Sequence, residues 1–237
     1  MKLSVIMPTY NEMDCIEHAV SDLQRYVFPF AADMELIVID DGSTDDTGII
    51  LDELAKTELH LRVIHQSNGG HGKALLTGLN AAQGDFLMLI DSDRQILLNG
   101  FEPLWYRAQK QDGLFGVRRR RGDAFSRRLL TSVIRHTLPI LFGIHLYDAN
   151  VPFKIFRRHL WVNSRSLVPP DTFAPSLFIA VFAIKNGYQI EQVEIEHIER
   201  QTGTGSIRKW KLIKCCARAF IQLLSFRKKL LTGAYGV

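Results

Sequence analysis

The stretch that decides the fold is LMLIDSDRQ, residues 87–95. Its first four residues are continuously apolar, which is typical of a strand buried in a parallel sheet. Asp91 and Asp93 follow directly at the end of this strand. Carboxylates at such a position supply the oxygen ligands that Mg²⁺ prefers, together with the phosphates of a substrate. The stretch therefore predicts a divalent-cation site at one edge of an α/β sheet.

Two upstream segments repeat this arrangement. The apolar run at 2–8 ends in PTYNE, residues 8–12, and the run at 35–39 ends in DDGS, residues 40–43. Short, β-branched apolar runs that are followed by carboxylates or Pro indicate buried strands. Ligands of an open α/β sheet bind beyond the carboxyl ends of its strands. We therefore expect three strands to bring polar residues to the same edge.

The alternation of elements predicts the fold class. Strands are predicted at 3–7, 35–39, 61–65, 86–90 and 114–118, and helices at 12–27, 45–57, 70–82 and 100–111. Asp45 and Asp46 are expected to cap the second helix, and a Gly-rich turn at 66–72 leads into the third. This order predicts an α/β fold with a mostly parallel central sheet flanked by helices. With 237 residues, 46% of them hydrophobic, one large domain can bury a full core.

Charge is divided unevenly along the chain. The formal net charge is +4, but the first 100 residues carry 16 acidic and 6 basic side chains, and the rest carry 9 and 23. An acidic half suits a metal ion, and a basic half suits an anion. The basic residues form two clusters: 118–121 with Arg127, Arg128 and Arg135, and 208–214 with Arg218 and 227–229. A solvated surface is the ordinary alternative for either cluster.

Cysteines and hydropathy bear on the compartment. The three cysteines, Cys15, Cys215 and Cys216, are an odd number, which favours a reducing compartment over a disulfide framework. No signal peptide is predicted at the N-terminus, because polar residues soon follow the first strand. The longest apolar candidate, 129–147, is interrupted by Arg135, His136 and His145, so no membrane span is predicted. We expect a cytoplasmic protein.

Four motifs in order resemble a known family. PTYNE at 8–12, DDGS at 40–43, NGGHGK at 68–73 and DSDRQ at 91–95 together resemble the inverting family 2 glycosyltransferases of GT-A fold. Val117-Arg118, DANVPFK at 148–154, and Glu199-Arg200 before 203–206 resemble the polyprenyl-phosphate branch, which is similar to dolichol-phosphate mannose synthase. The resemblance covers about residues 2–210 and implies a single glycosyltransferase domain. Its parts are a Rossmann-like nucleotide-sugar half at 1–118, an acceptor half at 119–206 and a basic amphipathic C-terminal segment at 207–237.

The resemblance implies roles for the matched residues. The nucleoside pocket is lined by Pro8, Tyr10, Glu12, Val38 and Asp40, with Asp40 accepting from the base and Glu12 near the ribose. Asp91 contacts the sugar nucleotide with Ser92 beside it, while Asp93 and Gln95 hold Mg²⁺ or Mn²⁺ against the diphosphate. Arg118, Arg200 and Arg208 neutralise the phosphates of donor and acceptor. The catalytic set is Asp91, Asp93, Arg118 and Arg200.

Each role has a simpler alternative. A lone Asp-x-Asp is more often a turn or a helix cap, and Asp40 could only cap the helix after it. Lys73 either reaches the nucleotide or is a solvated residue of the first helical turn. Arg200 could pair with Glu196 or Glu199. His71 is interpreted as a loop residue among glycines rather than as a catalytic base.

The acceptor is inferred from a missing carboxylate. Relatives that act on hydroxyl acceptors carry an acidic base where this chain has TFAPSL, residues 172–177. A phosphate monoester, whose second pKa is about 6, is already ionised near neutral pH and needs no base. The sequence thus favours transfer of a hexose from a GDP- or UDP-sugar to a polyprenyl phosphate. A glycan or other hydroxyl acceptor, with Asp171 as base, is the alternative.

Two segments suggest how a lipid acceptor is reached. Residues 125–142 and 207–231 mix apolar side chains with cations, as interfacial helices do. We expect these amphipathic helices to attach the protein to the cytoplasmic face of a membrane. Alternatively, they pack on the sheet or are covered by a membrane partner protein. A nucleic-acid-binding module is a distant alternative, and no nucleic acid partner is expected, because interleaved exposed aromatics are missing from the basic clusters.

Overall fold

A computed structural model describes residues 1–118, 137–149, 151–172, 174–198 and 209–232, with side chains in the last range described from 217 onward. In these ranges the strands are β1 (Leu3–Thr9), β2 (Met34–Asp40), β3 (Leu61–His65), β4 (Phe86–Ile90), β5 (Gly113–Arg118), β6 (Phe153–Arg157) and β7 (Ile190–Ile195). They form one sheet in the order β3-β2-β1-β4-β6-β5-β7. Only β6 runs antiparallel to its neighbours among these described strands. The predicted mostly parallel α/β sheet is confirmed.

Helices flank this sheet. They are α1 (Ile16–Tyr26), α2 (Thr47–Thr57), α3 (His71–Ala81), α4 (Phe101–Ala108), α5 (Arg158–Ser164), α6 (Pro175–Lys185) and α7 (Lys209–Leu231), and residues 137–142 are also helical. Every element predicted within 1–118 is present. The largest shift is at α1, which begins four residues later than predicted because residues 12–15 form a turn closed on the Glu12 carbonyl.

Both faces of the sheet are covered, which explains the continuous apolar strands. Ile6, Ile39 and Leu89 belong to a core on the side of α3 and α6. Val5 and Met88, on alternate positions, belong to a second core on the side of α1 and α4. Because successive strand residues point to opposite faces, apolar side chains are needed at every position.

α6 is buried on all sides. Residues 175–183 of this helix are all buried, and all of them except Ser176 are apolar. A helix that is hydrophobic all round belongs in a core. It packs beside α7, whose Phe226 contacts the ring of Phe178 at a centroid distance of 5.1 Å. The C-terminal helix is therefore fastened to the domain by one of its faces.

The amphipathic predictions are correct in part. Leu223 and Phe226 of α7 and Leu138 of the 137–142 stretch are buried, so these residues pack in the core and do not form a membrane surface as expected. Phe220, Ile221 and Leu224 of α7 are exposed. Residues 125–136 lie outside the described residues, as do the side chains of 207–216. No helix in the described ranges is long and apolar enough to cross a membrane.

Strand direction gathers the predicted site at one edge. β1, β2, β4, β5 and β7 run the same way, so their carboxyl ends share an edge. β6 runs the opposite way and begins at that edge. The residues after β4, the end of β5 and the residues before β6 are thereby brought together.

Candidate functional site

The loops after β1 and β2 are tied to each other. Asn11 has a left-handed backbone, with φ of 53°, which Asn tolerates better than most residues. Its amide donates to the Ser43 hydroxyl at 3.0 Å, and its side-chain oxygen accepts from the Thr44 amide at 2.8 Å. The Glu12 amide donates to the Thr47 hydroxyl at 2.9 Å. PTYNE and DDGS therefore form one continuous surface, on which Tyr10 is exposed.

Asp40 is a buried carboxylate with partners on two elements. It accepts from the Ser43 amide at 2.9 Å, and its other oxygen lies 2.9 Å from Nδ1 of His65. The far nitrogen of His65 lies 3.0 Å from Asp52. Burial raises the pKa of Asp40, but the hydrogen bonds from Ser43 and His65 outweigh burial and hold that pKa below its usual 3.8. Asp40 is therefore an ionised acceptor at neutral pH.

The start of α2 differs slightly from prediction. Asp45 accepts from the Thr47 amide at 3.1 Å and so acts as the capping carboxylate. Asp46 occupies the N-cap position without a side-chain capping bond. Asp40 bonds the turn residue Ser43 rather than the helix, so the simple capping alternative does not describe it.

Asp41 clamps the Gly-rich loop. This buried carboxylate accepts from the amides of Gly69 at 2.9 Å and Gly70 at 2.7 Å, and from the Gln66 side chain at 2.6 Å. Gly42 has φ of 71°, and an added Cβ would come within 2.8 Å of the Asn68 amide nitrogen. Sequence reasoning gave no role to Asp41. The sequence feature that could have indicated this role is the pair Asp41-Gly42, which is followed along the chain by a Gly-rich turn.

The first residue of the Asp-x-Asp motif has an unexpected partner. Asp91 lies 2.9 Å from Nε2 of His71. His71 is the first residue of α3, so its interpretation as a loop residue was wrong. Lys73 is exposed in the same first turn. Ser92 is buried and donates to the Pro8 carbonyl at 3.2 Å, which ties the motif to the loop after β1.

Asp93 and Gln95 form a braced turn. The Gln95 amide donates to the Asp93 carboxylate at 3.2 Å, and the Gln95 side-chain nitrogen donates to the Ile198 carbonyl at 3.3 Å. Ile198 in turn donates to the Gln95 carbonyl at 2.9 Å. The segment after β7 therefore holds this turn in place. The side-chain oxygens of Asp93 and Gln95 are thus carried by a hydrogen-bonded turn.

The donor set fits a metal that is shared with a substrate. Carboxylate and amide oxygens suit Mg²⁺ and Mn²⁺. Within the described ranges, no group of three or more His, Cys, Asp or Glu side chains could hold a metal ion. Mg²⁺ is usually bound by one or two carboxylates with water and substrate phosphates, so the Asp93 and Gln95 pair matches that mode.

An ion pair lies further along the same edge. Arg118, at the end of β5, donates from Nε to Asp148 at 2.7 Å and from Nη2 to the other carboxylate oxygen at 3.1 Å. The Asp148 side chain is fully buried, and that of Arg118 is 11% exposed. Lys154 is buried close by. Asp171 accepts from Gln222 of α7 at 2.9 Å, which links the region before α6 to the C-terminal helix.

Most of the predicted site residues lie at one edge of the sheet. Pro8, Tyr10, Glu12, Asp40, Asp91, Asp93, Gln95 and Arg118 lie along the strand-end edge or in the loops that follow it. Val38 is fully buried in the second core, so its side chain offers no surface to a nucleoside, contrary to expectation, and Pro8 is buried as well. Ser92 is buried as a link between loops. Arg200, Arg208, 119–121, Arg127, Arg128 and Arg135 lie outside the described residues.

Solved structures share this fold. Glucosyl-3-phosphoglycerate synthase from Mycobacterium tuberculosis, in complex with Mn²⁺, UDP and phosphoglyceric acid, matches with a TM-score of 0.66 at 23% identity, over 95% of this chain and 78% of that one. TarS 1–349 from S. aureus, in complex with UDP-GlcNAc, matches with a TM-score of 0.60 at 22% identity, over 92% and 66%. These likenesses establish the GT-A fold.

Sequence comparison gives the family. The undecaprenyl-phosphate 4-deoxy-4-formamido-L-arabinose transferase of Proteus mirabilis (strain HI4320) is 27% identical over 234 residues, which cover 94% of this chain and 70% of that protein. The model of glycosyl transferase family 2 matches residues 4–167. That range includes the loops after β1, β2 and β4 and the Arg118–Asp148 pair. The chain therefore belongs to glycosyl transferase family 2, and it is a glycosyltransferase.

Proposed function

We propose that this chain is a metal-dependent inverting transferase that moves a hexose from a nucleotide sugar to the phosphate of a polyprenyl phosphate, at the cytoplasmic face of a membrane. One observation carries the proposal: the carboxylates Asp40, Asp91 and Asp93 and the cation Arg118 share one sheet edge. A metal-bound nucleotide sugar needs the carboxylates. An anionic acceptor needs the cation.

The donor side uses the tied loops. Asp40 would accept a hydrogen bond from the base, and Glu12 would lie near the ribose, with the exposed Tyr10 forming the wall and the buried Pro8 supporting it. Asp91 would contact the sugar nucleotide from the motif after β4. Lys73, exposed at the start of α3, would reach the diphosphate. Because hydrogen bonds fix these loops before any ligand binds, the pocket needs little reorganisation.

Asp93 and Gln95 would hold Mg²⁺ or Mn²⁺. When bound, the ion would neutralise charge on the leaving nucleoside diphosphate. The chain's own contribution is to keep the two oxygen ligands in a turn braced by Ile198. The presence of Mn²⁺ and UDP in a structure of the same fold supports this assignment.

The acceptor side needs a cation rather than a base. An ionised phosphate oxygen would form a bond to the anomeric carbon while the bond from that carbon to the diphosphate oxygen breaks, which inverts the configuration. The second pKa of a phosphate monoester is about 6, so no proton must be removed near pH 7. Arg118 would bind this phosphate, and Arg200 and Arg208 are proposed to assist. The similarity to an undecaprenyl-phosphate transferase supports a lipid phosphate as acceptor.

The test is a donor and acceptor screen. Purified protein with Mg²⁺ or Mn²⁺ receives a panel of labelled UDP- and GDP-sugars together with a polyprenyl phosphate. We expect label in the lipid extract from one donor. Donor turnover without labelled lipid would favour a glycan or other hydroxyl acceptor, and lack of any donor binding would exclude the proposed transferase activity.

A substitution at Asp93 is the most direct test of the proposed metal ligand. Asp93→Asn keeps the shape but removes the charge, so we expect turnover to fall by about 10²- to 10³-fold, as when one preorganised electrostatic group is lost. Glu53→Gln makes the same change at an exposed position on α2, where Glu53 pairs only with the nearby Lys56 among the described contacts, and should leave turnover unchanged. Full metal-dependent activity of Asp93→Asn would contradict its assignment as a ligand.

A further inference from the structure

Lys154 is a charged residue in the middle of the sheet. It lies on β6, opposite Leu89 of β4 and Phe115 of β5, and only 1% of its surface is exposed. Moving an ammonium group out of water is costly unless it is paired and hydrogen-bonded. A residue such as Met would fill the same space without that cost. The lysine therefore calls for a reason other than packing.

Its hydrogen bonds point to the loop before its own strand. Nζ donates to the Val151 carbonyl at 2.9 Å and to the Ala149 carbonyl at 3.3 Å. The ammonium thereby binds the backbone on both sides of residue 150. It also lies 5.8 Å from the centre of the Phe115 ring. These contacts hold the backbone at Ala149, next to Asp148, and at Val151.

Asp148 is the residue that this path positions. Its carboxylate is fully buried and binds Arg118 through two parallel hydrogen bonds. Such a bidentate pair fixes the orientation of the guanidinium group. A continuous series of contacts therefore runs from Lys154 through the Ala149 carbonyl and Asp148 to Arg118.

The charges around Lys154 also favour a role in binding a phosphate. Arg118 and Asp148 together are neutral, and a neutral pair attracts a phosphate weakly. With the Lys154 ammonium, these three groups carry a net charge of +1; Asp91, the next carboxylate whose charge acts on Lys154, is itself paired with His71. Burial lowers the pKa of Lys154 to about 8, while the nearby charge of Asp148 opposes that effect, so the side chain is mostly protonated at pH 7.

We propose that Lys154 is a positioning residue for the acceptor phosphate: it braces the backbone at Ala149 and Val151 so that Asp148 orients Arg118, and it gives Arg118, Asp148 and Lys154 together a net positive charge. This role rests on the proposed function, in which Arg118 binds the phosphate of the acceptor. Lys154 itself is buried and does not touch the substrate.

The test separates acceptor binding from stability. Lys154→Met removes the charge at similar volume, Lys154→Arg keeps the charge, and Leu89→Met is the matched control, since it changes the neighbouring side chain without altering charge. We expect Lys154→Met to raise KM for polyprenyl phosphate by at least about tenfold, as loss of a buried charged partner does. The Kd of the nucleotide donor should change less than the acceptor KM, because Lys154 donates its hydrogen bonds to Ala149 and Val151 and acts on the donor residue Asp91 only through its charge.

The remaining readouts exclude a packing role. Tm of Lys154→Met should fall only modestly, because the cost of burying the ammonium disappears together with its hydrogen bonds to the Ala149 and Val151 carbonyls. Lys154→Arg should recover part of the acceptor affinity, and Leu89→Met should behave like the parent. A parent-like acceptor KM in Lys154→Met, or a parallel loss of Tm and of donor and acceptor binding, would overturn the role of Lys154 alone. A parent protein that does not transfer sugar to lipid phosphate would overturn the proposed function and this inference with it.

Discussion

His65 lies between two carboxylates. Its hydrogen bond to Asp40 raises its pKa above the usual 6.5, and the bond to Asp52 adds to this effect, although partial burial opposes it. We expect the imidazole of His65 to titrate above pH 6.5 in an NMR titration. Asp52→Asn should lower that pKa while leaving the bond to Asp40. A His65 pKa at or below 6.5 would show that the Asp40 contact does not form in solution.

The same contact should make stability depend on pH. Because the pKa of His65 is higher in the folded state, protonated His65 stabilises the fold fully below about pH 6.5, and this contribution disappears as the pH rises through the folded pKa. The free energy of unfolding should therefore differ most between the parent and His65→Gln at low pH. His18→Gln, an exposed imidazole on α1, corrects for loss of the ring itself. Asp40 has the opposite sign, since its lowered pKa stabilises the fold above about pH 3.8.

Individual residues show what a sequence can indicate about a site. Asp91 and Asp93 were predictable because carboxylates directly follow an apolar strand. Asp40 and Asp41 have the same chemistry, yet one faces His65 and the other the Gly-rich loop, and only the backbone path separates these roles. The contact between His71 and Asp91 joins residues from different elements. No local spacing encodes such a contact.

The position of α3 on the sheet depends on the small residue Gly78. An added Cβ at Gly78 would lie 2.4 Å from Ile6 and 2.6 Å from Ile39, so the helix packs against β1 and β2 with no room for a methyl group. We expect Gly78→Ala to lower the free energy of unfolding by about 1–3 kcal/mol, even though Ala favours helix. Urea unfolding measures this change.

Gly100 provides the control for that substitution. No atom lies within 4 Å of an added Cβ there, and its φ of −99° is open to any residue. Gly100 is the N-cap of α4, where Gly is preferred over Ala, so Gly100→Ala should lower stability only by the capping difference, less than about 1 kcal/mol. If Gly78→Ala were as stable as Gly100→Ala, the close packing of α3 on the sheet would be wrong.

The elements of the first half were predictable, whereas in the second half the sequence indicated the helical segments at 125–142 and 207–231 but not β6, β7, α5 or α6. Up to residue 118 each strand is bounded by turn residues, and each helix has a polar face. α6 has no polar face, since 175–183 are all buried, so no helical period marks it. β6 enters the sheet between β4 and β5 against their direction, which follows from long-range pairing and not from local pattern.

At the scale of the molecule, the uneven charge and the exposed side chains of α7 together predict a surface that binds an anionic interface. α7 packs Leu223 and Phe226 into the domain and exposes Phe220, Ile221 and Leu224. Arg227, Lys228 and Lys229 follow and are also exposed. An exposed apolar surface beside cations is the arrangement that binds anionic interfaces. The burial of one face of α7 would keep the active-site edge in a fixed orientation to that surface.

The exposed surface of α7 predicts a measurable preference for anionic lipid. The protein should bind vesicles of phosphatidylcholine with phosphatidylglycerol more tightly than phosphatidylcholine alone, and salt should weaken the binding. Each basic residue near an anionic surface contributes about 1 kcal/mol, so Lys228→Glu with Lys229→Glu should weaken sedimentation with anionic vesicles by at least about tenfold. Lys56→Glu with Lys110→Glu makes the same change in net charge at exposed positions outside α7. The two double variants have the same net charge and differ only in where the charge was changed. If both lost the same amount of vesicle binding, net charge and not the surface of α7 would govern binding.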